Sequence, residues 1–156
     1  MIEERLYRQF SNNKKRIIKG ITIHNTGNSL SAKENVEFMA QSCLHFSTHV
    51  FIDEKEVIEV LPLSIGSYHT GKANDKGNNE TIAIEICRST SSLDIYLQAQ
   101  KKAIIWIKEK LNENQLDYTT IYFHNDFDER AYCPHRILSI YNNKKNFIKK
   151  EILYDT

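Results

Sequence analysis

The chain carries at residues 20–27 the sequence GITIHNTG, and this stretch decides the fold class. Its residues alternate, so that the two isoleucines point to one side while Thr22 and His24 point to the other. Such period-two alternation predicts a β-strand over residues 20–25 with one face in a core. Residues 81–87, TIAIEIC, repeat the pattern, with three isoleucines on one face and Glu85 on the other. We therefore expect two strands that bury a shared isoleucine face.

Further strands and helices are predicted around these two strands. Ser31 followed by Glu34 has the spacing of a capping box, which predicts a helix from there to about Cys43. Residues 71–79, rich in glycine and asparagine, are interpreted as a loop. The other predicted elements are strands over 47–52, 56–60 and 119–123 and helices over 2–10, 93–112 and 136–153. This interleaving predicts an α/β fold: a single domain, residues 1–156, with a central mixed β-sheet flanked by helices.

Composition excludes several classes of protein. With 156 residues and 40% hydrophobic residues, the chain can bury one good core. The formal net charge is +1, so the basic clusters at residues 14–16 and 144–150 are interpreted as solvated surface and no nucleic-acid partner is expected. No apolar run could cross a bilayer, and residues 1–6 lack the apolar stretch of a secretory signal. We expect synthesis in the cytoplasm, with reduced thiols and no membrane partner.

Two histidines and one cysteine are the candidate metal ligands. His24 ends the first strand, and His124 and Cys133 lie on either side of a loop that has to fold back. Two imidazoles and a thiolate fill three corners of a zinc tetrahedron and leave the fourth for water, which is typical of a catalytic zinc. If the two isoleucine-rich strands are neighbours, Glu85 projects beside His24, where a general base is needed. The alternative for Glu85 is a polar residue on an exposed strand face.

Four motifs stand in order along the chain. They are IHNT at residues 23–26, SYHTG at 67–71, IEIC at 84–87 and HNDFDERAYCPHRIL at 124–138. Together they resemble the zinc-dependent N-acetylmuramoyl-L-alanine amidases of type 2, the family of phage endolysins, bacterial autolysins and peptidoglycan recognition proteins. The resemblance implies an amidase type 2, peptidoglycan recognition protein-like fold, with Zn²⁺ on His24, His124 and Cys133 and Glu85 beside it. It also implies hydrolysis of the amide bond between N-acetylmuramic acid and L-alanine in peptidoglycan.

The resemblance implies further site residues. Asn25 and Thr26, which follow the first ligand, are predicted to bind substrate. His69 lies in a segment similar to the family's Trp-His-Ala-Gly motif, and we expect it either to contact substrate or to stabilise the oxyanion. Many relatives carry a lysine two residues before the ligand cysteine, where this chain has Ala131. We expect the neighbouring Arg130 to take over its catalytic role.

The expected function is that of the catalytic domain of a phage or prophage endolysin. Its partner would be peptidoglycan, on which it would act as a monomer after release from the cytoplasm. No wall-binding domain is expected within the chain. The alternative is a non-catalytic peptidoglycan-binding module on the same fold, although such modules commonly lose the ligand cysteine that this chain has at Cys133. No residue pattern favours a third possibility, a phage protein that also binds and inhibits a polymerase.

Overall fold

The two isoleucine-rich strands lie side by side in the middle of the main sheet. The computed structural model describes residues 11–42, 46–72 and 75–154. Its strands are β1 (Ser11–Lys15), β2 (Gly20–Asn25), β3 (Val50–Ile52), β4 (Val57–Glu59), β5 (Ile65–Ser67), β6 (Thr81–Ile86) and β7 (Ile121–Phe123). Its α-helices are α1 (Ala32–Gln41), α2 (Lys76–Glu80), α3 (Leu93–Glu113), α4 (His135–Tyr141) and α5 (Lys144–Phe147), and a π-helical segment, Ile148–Leu153, follows α5. The helix predicted over residues 2–10 lies outside the described residues.

Within the described residues the main sheet has five strands in the order β4-β3-β6-β2-β7. Strand β2 runs parallel to both β6 and β7, while β3 is parallel to β6 and antiparallel to β4. The predicted mixed sheet is therefore confirmed. The register pairs Ile23 with Ile84 and His24 with Glu85, so the two strands are neighbours as expected. Strands β1 and β5 pair separately and antiparallel.

The isoleucine face of the sheet packs on helices. The side chains that cover it come mainly from α3, α4 and α5: Tyr96, Ala99, Ala103, Ile104, Ile107, Ile137, Leu138, Tyr141 and Phe147. Burial of each large apolar side chain stabilises the fold by about 1.5–3 kcal/mol. On the opposite face Met39 of α1 packs against Phe51 in a smaller cluster. The polar side chains of β2 and β6 point to that second face, which leaves room for a site at the strand ends.

The predicted helix boundaries agree with the structure where local capping decides them. Ser31 and Glu34 form the predicted capping box: the Ser31 N–H donates to the Glu34 carboxylate at 2.7 Å, and the Glu34 N–H donates to Ser31 Oγ at 3.2 Å. Helix α1 then ends at Gln41. No helix within the described residues is long and apolar enough to cross a membrane.

The helix predicted over residues 136–153 is interrupted. Asn142 ends α4 with a φ of 66°, a left-handed conformation that asparagine tolerates better than most residues. Asn143 then caps α5, because its side chain accepts from the Asn146 N–H at 2.9 Å. The strand predicted over residues 119–123 is shorter than expected, since residues 118–120 form a 3₁₀ turn. The strand predicted over 47–52 is likewise reduced to β3.

Two interpretations of surface segments are wrong. The segment 71–79 is not only a loop, because Asp75 accepts from the Asn78 N–H at 2.9 Å and starts helix α2. Arg16 is not a solvated surface residue. Its guanidinium donates to the carbonyls of Leu63 and Thr81, and burial lowers its pKa to about 10. The contacts of Arg16 are long-range and leave no local pattern in the sequence, whereas the cap at Asp75 is a local contact.

Candidate metal centre

His24, His124 and Cys133 come together at the carboxyl-terminal ends of the parallel strands. His24 lies near the end of β2, and His124 follows directly after the neighbouring strand β7. Their imidazole centroids are 4.8 Å apart. One potential ligand atom from each of the three residues lies within 4.8 Å of the other two. His24 thus meets two residues that lie about a hundred positions further along the chain, as the sequence predicted.

The loop after β7 brings Cys133 back to the histidines. The Asn125 N–H donates to the Cys133 carbonyl at 3.2 Å, which closes the loop. Asp126 stabilises its first turn, because its carboxylate accepts from the Phe123 N–H at 2.7 Å and from Lys144 Nζ. The peptide bond after Cys133 is cis. The predicted fold-back of this stretch is confirmed.

The donor set fits a zinc ion. Zinc binds thiolate sulfur at about 2.3 Å and imidazole nitrogen at about 2.0–2.1 Å, so a tetrahedral angle separates the two donor atoms by about 3.6 Å. The distance between Cys133 Sγ and His24 Nδ1 is 3.7 Å. Two nitrogens and one sulfur leave a fourth corner for water, the composition of a catalytic site. The three residues therefore suit zinc both in chemistry and in spacing.

Burial controls the protonation of the three side chains. It lowers the pKa of His24 well below the ordinary value of 6.5, and it also lowers the pKa of His124. Both imidazoles are therefore neutral at pH 7, as metal binding requires. Burial, followed by the charge of Glu85, raises the pKa of the Cys133 thiol to about 12. A metal ion that binds here has to displace the thiol proton.

Glu85 lies beside the ligands, on the face predicted for it. It is the register partner of His24 and is 3% exposed, so the alternative of an exposed strand face is wrong. Burial raises the pKa of its carboxyl group to about 8. Its Oε2 atom has no hydrogen-bond partner among the described residues. A buried carboxyl group with a free oxygen at this position is suited to take up and release a proton.

Thr26 shares a small recess with Glu85. The recess has a volume of about 60 Å³. Its other lining residues are Asn28, Asn35, Phe38, Met39, Phe46 and Phe51. Like Glu85 Oε2, the buried Thr26 Oγ1 has no hydrogen-bond partner within the described part of the chain. Two unpaired polar atoms among mainly apolar walls suit a ligand group that brings its own hydrogen-bonding atoms.

The Asn25 side chain is hydrogen-bonded to other residues of the protein. Its Nδ2 donates to the Ile86 carbonyl at 3.3 Å and to the Tyr96 hydroxyl at 3.2 Å. Its Oδ1 accepts from the Arg136 N–H at 3.0 Å. These bonds fasten the end of β2 to α3 and to the start of α4. The substrate contact predicted for Asn25 stays a prediction.

Arg130 lies at the surface of the loop that carries Cys133. Its Nε and Nη2 atoms donate to the two Asp128 carboxylate oxygens, each at 3.0 Å, and its side chain is 85% exposed. The hydrogen bonds from Arg130 lower the pKa of Asp128 to about 2. The structure thus describes a local ion pair, and the role of Arg130 in catalysis stays a prediction.

His69 lies behind His24 and is almost fully buried. The two rings meet edge to face, with His24 Nε2 at 3.0 Å from His69 Nδ1. On its other side, His69 Nε2 lies 3.0 Å from the Gly77 carbonyl. The sequence predicted a contact with substrate or with the oxyanion for this residue, whereas the bonds described here join it to a candidate metal ligand.

One neighbour that holds the backbone of His69 was missed in the sequence. Asn78 Oδ1 accepts from the N–H groups of both His69 and Thr70, at 2.8 and 3.1 Å. A usable signal was the position of Asp75 three residues before Asn78, which is the spacing of a helix N-cap.

Comparison with known proteins found a matching family and similar sequences. Residues 13–136 match a family model described as N-acetylmuramoyl-L-alanine amidase. The chain is 38% identical over 135 residues to the N-acetylmuramoyl-L-alanine amidase XlyB of Bacillus subtilis (strain 168), covering 85% of this chain and 42% of that protein. It is 38% identical over 120 residues to the N-acetylmuramoyl-L-alanine amidase CwlA of the same strain, covering 76% of this chain and 44% of the relative. The chain thus spans less than half the length of these two relatives.

Solved structures show the same fold. The structure of PlyL matches with a TM-score of 0.87 and 29% identity, over 96% of this chain and 92% of that chain. The solution structure of the PlyG catalytic domain matches with a TM-score of 0.86 and 26% identity, over 100% of this chain and 94% of that chain. The fold expected from the motifs is therefore confirmed.

Proposed function

Because the chain belongs to the N-acetylmuramoyl-L-alanine amidase family, we propose that it is a zinc-dependent hydrolase of the amide bond between N-acetylmuramic acid and L-alanine in peptidoglycan. One observation carries this proposal: His24, His124 and Cys133 converge within 4.8 Å, with the buried Glu85 next to His24 in the sheet. A binding module would need neither an open metal corner nor an unpaired carboxyl oxygen.

The metal ligands in this proposal are His24, His124 and Cys133. Bound zinc polarises the scissile carbonyl and lowers the pKa of water to about 7. Glu85 accepts a proton from the water that attacks the carbonyl carbon. It then delivers this proton to the amine nitrogen as the carbon–nitrogen bond breaks, so one carboxyl group serves both transfers. Positive charge nearby favours the ionised carboxylate, which makes Glu85 a base in the loaded site although its pKa is about 8 without metal.

Two further side chains are proposed to contact the reacting group. Thr26 Oγ1 shares a recess with Glu85 and is free to hydrogen-bond substrate. Arg130 supplies positive charge for the oxyanion that forms on the carbonyl oxygen. To do so it has to leave Asp128, and exposed ion pairs of this kind contribute little to stability.

The biological setting is also part of the proposal. Residues 133–138 resemble endolysins and prophage amidases, which supports a catalytic domain of phage or prophage origin. Such a protein is made in the cytoplasm and acts as a monomer on the cell wall after release. Its partner is then peptidoglycan, with the glycan strand and the stem peptide on either side of the bond that is cleaved.

The proposal is tested with purified protein and bacterial cell walls. The assay measures newly freed L-alanine amino groups with and without a chelator. We expect release to stop when zinc is removed and to return when zinc is added. Glu85→Gln, which keeps the shape of the protonated side chain, should abolish release while zinc still binds stoichiometrically.

Three results would contradict the proposal. Release that continues unchanged in Glu85→Gln would reject the general base. Stoichiometric zinc in Cys133→Ala would reject the ligand set. Tight binding to cell walls without any release of L-alanine amino groups, in the presence of zinc, would favour the non-catalytic binding module. Cys87→Ala is the matched control for the cysteine variant, because Cys87 is a buried thiol in the smaller core cluster.

A further inference from the structure

A chain of hydrogen bonds decides which nitrogen of His24 is free. The Gly77 carbonyl can only accept, so His69 Nε2 carries the proton of their 3.0 Å bond. A neutral His69 then has an unprotonated Nδ1, which accepts from His24 Nε2 at 3.0 Å. His24 Nε2 therefore carries its proton, and the lone pair of His24 Nδ1 is left free. This is the nitrogen that lies 3.7 Å from Cys133 Sγ.

Asn78 holds His69 and the following Thr70 in place. Its Oδ1 accepts from the N–H groups of His69 and Thr70, and its Nδ2 donates to the Lys72 carbonyl at 2.7 Å. All three side-chain bonds go to backbone atoms, and Asn78 is 2% exposed. The backbone of His69 is therefore fixed while its ring faces His24. Packing is tight here, because a Cβ on Gly77 would come within 2.3 Å of Thr70 Cγ2.

We propose that His69, held by Asn78, sets the tautomer of His24 and so prepares His24 Nδ1 for zinc. This inference rests on the zinc site of the proposed function. His69 and Asn78 are positioning residues, since His69 acts on the metal through His24 and Asn78 acts through His69. Replacement of such outer hydrogen-bond partners typically weakens metal binding by about 10–100-fold.

The test measures zinc affinity by competition with a chromophoric chelator. His69→Leu removes the acceptor for His24 and should weaken zinc binding by about 10–100-fold. His69→Asn places a carbonyl oxygen near the position of Nδ1 and should restore part of the affinity. The matched control is His49→Leu, because His49 is equally buried but its ring bonds to the Ile65 carbonyl and the Ala83 N–H. Its loss should lower stability and leave zinc affinity within about threefold of wild type, since it holds no ligand.

A measurement on the wild-type protein tests the inference whether or not the variants fold. Long-range ¹H–¹⁵N correlation spectra of the zinc-loaded protein should show His24 protonated at Nε2 and metal-bound at Nδ1. A His24 that binds zinc through Nε2 would overturn the inference. So would His69→Leu or Asn78→Ala proteins that fold and bind zinc as tightly as His49→Leu. Wild-type protein that binds no zinc would instead overturn the proposed function, so the two failures are distinguishable.

Discussion

Replacement of Glu85 by glutamine should remove a pH dependence from the stability of the metal-free protein. In the native state burial raises the pKa of Glu85 to about 8, whereas the ordinary value is 4.5. Between these two values the native state holds a proton that the unfolded state has released. The free energy of unfolding therefore falls as the pH rises through this window. Glutamine resembles the protonated carboxyl group in shape and does not titrate, so the variant lacks this fall.

Comparison with Glu85→Gln between pH 6.5 and 8 isolates the contribution of Glu85. The buried His24, His49 and His69 have pKa values below 6.5 in the native state, so the unfolded state binds more of their protons, and stability rises as those protons are released with increasing pH. This rise is common to both proteins and cancels in the difference between them. One proton is equivalent to about 1.36 kcal/mol per pH unit, so the stability of wild type relative to Glu85→Gln should fall by about 1.5–2 kcal/mol between pH 6.5 and 8.

Urea unfolding at a series of pH values, in the presence of a chelator, measures this difference. The free energy of unfolding of wild type should fall relative to Glu85→Gln, and the variant should become the more stable protein near pH 8. Parallel curves for the two proteins over this window would refute the reasoning, because they would mean that the Glu85 carboxyl group titrates alike in the native and unfolded states.

Metal binding, tight packing and the surface loop can be tested separately. Because the pKa of Cys133 is about 12, zinc binding at pH 7 should release at least one proton per metal, measured by calorimetry in buffers of different ionisation enthalpy. Gly77→Ala should lower the free energy of unfolding by about 1–3 kcal/mol in urea titrations, since its Cβ overlaps Thr70. Arg130→Ala should lower kcat for wall hydrolysis by roughly 100-fold and leave urea stability and zinc affinity unchanged, because the Arg130 side chain is exposed and its only described side-chain partner is Asp128.

Local patterns in the chain were enough to predict the sheet face on which His24 and Glu85 lie. Alternation with a period of two places His24 on the opposite face of β2 from its isoleucines, and it places Glu85 on the opposite face of β6 from its isoleucines. The parallel register of β2 and β6 then makes His24 and Glu85 direct neighbours. The capping box of Ser31 and Glu34 was equally predictable, since all of its atoms lie within four residues. Such features depend on backbone geometry that neighbouring residues share.

Features that depend on distant partners were not predictable in this way. The break at Asn142 depends on a left-handed conformation that the apolar period of residues 136–153 does not show. The burial of Arg16 depends on carbonyl acceptors at Leu63 and Thr81, which come close only after β1 and β5 have paired. In the local sequence, both Asn142 and Arg16 look like ordinary polar residues on a surface.

The candidate metal ligands followed from residue chemistry and motif order, because only a few side chains bind zinc and His24, His124 and Cys133 are of those kinds. The linear chain carried no information about which ring nitrogen of His24 faces Cys133. That feature emerges from the folded arrangement, in which the Gly77 carbonyl and Asn78 orient His69 against His24. Hydrogen bonds require a distance and a direction in space, and no residue spacing along the chain specifies either one.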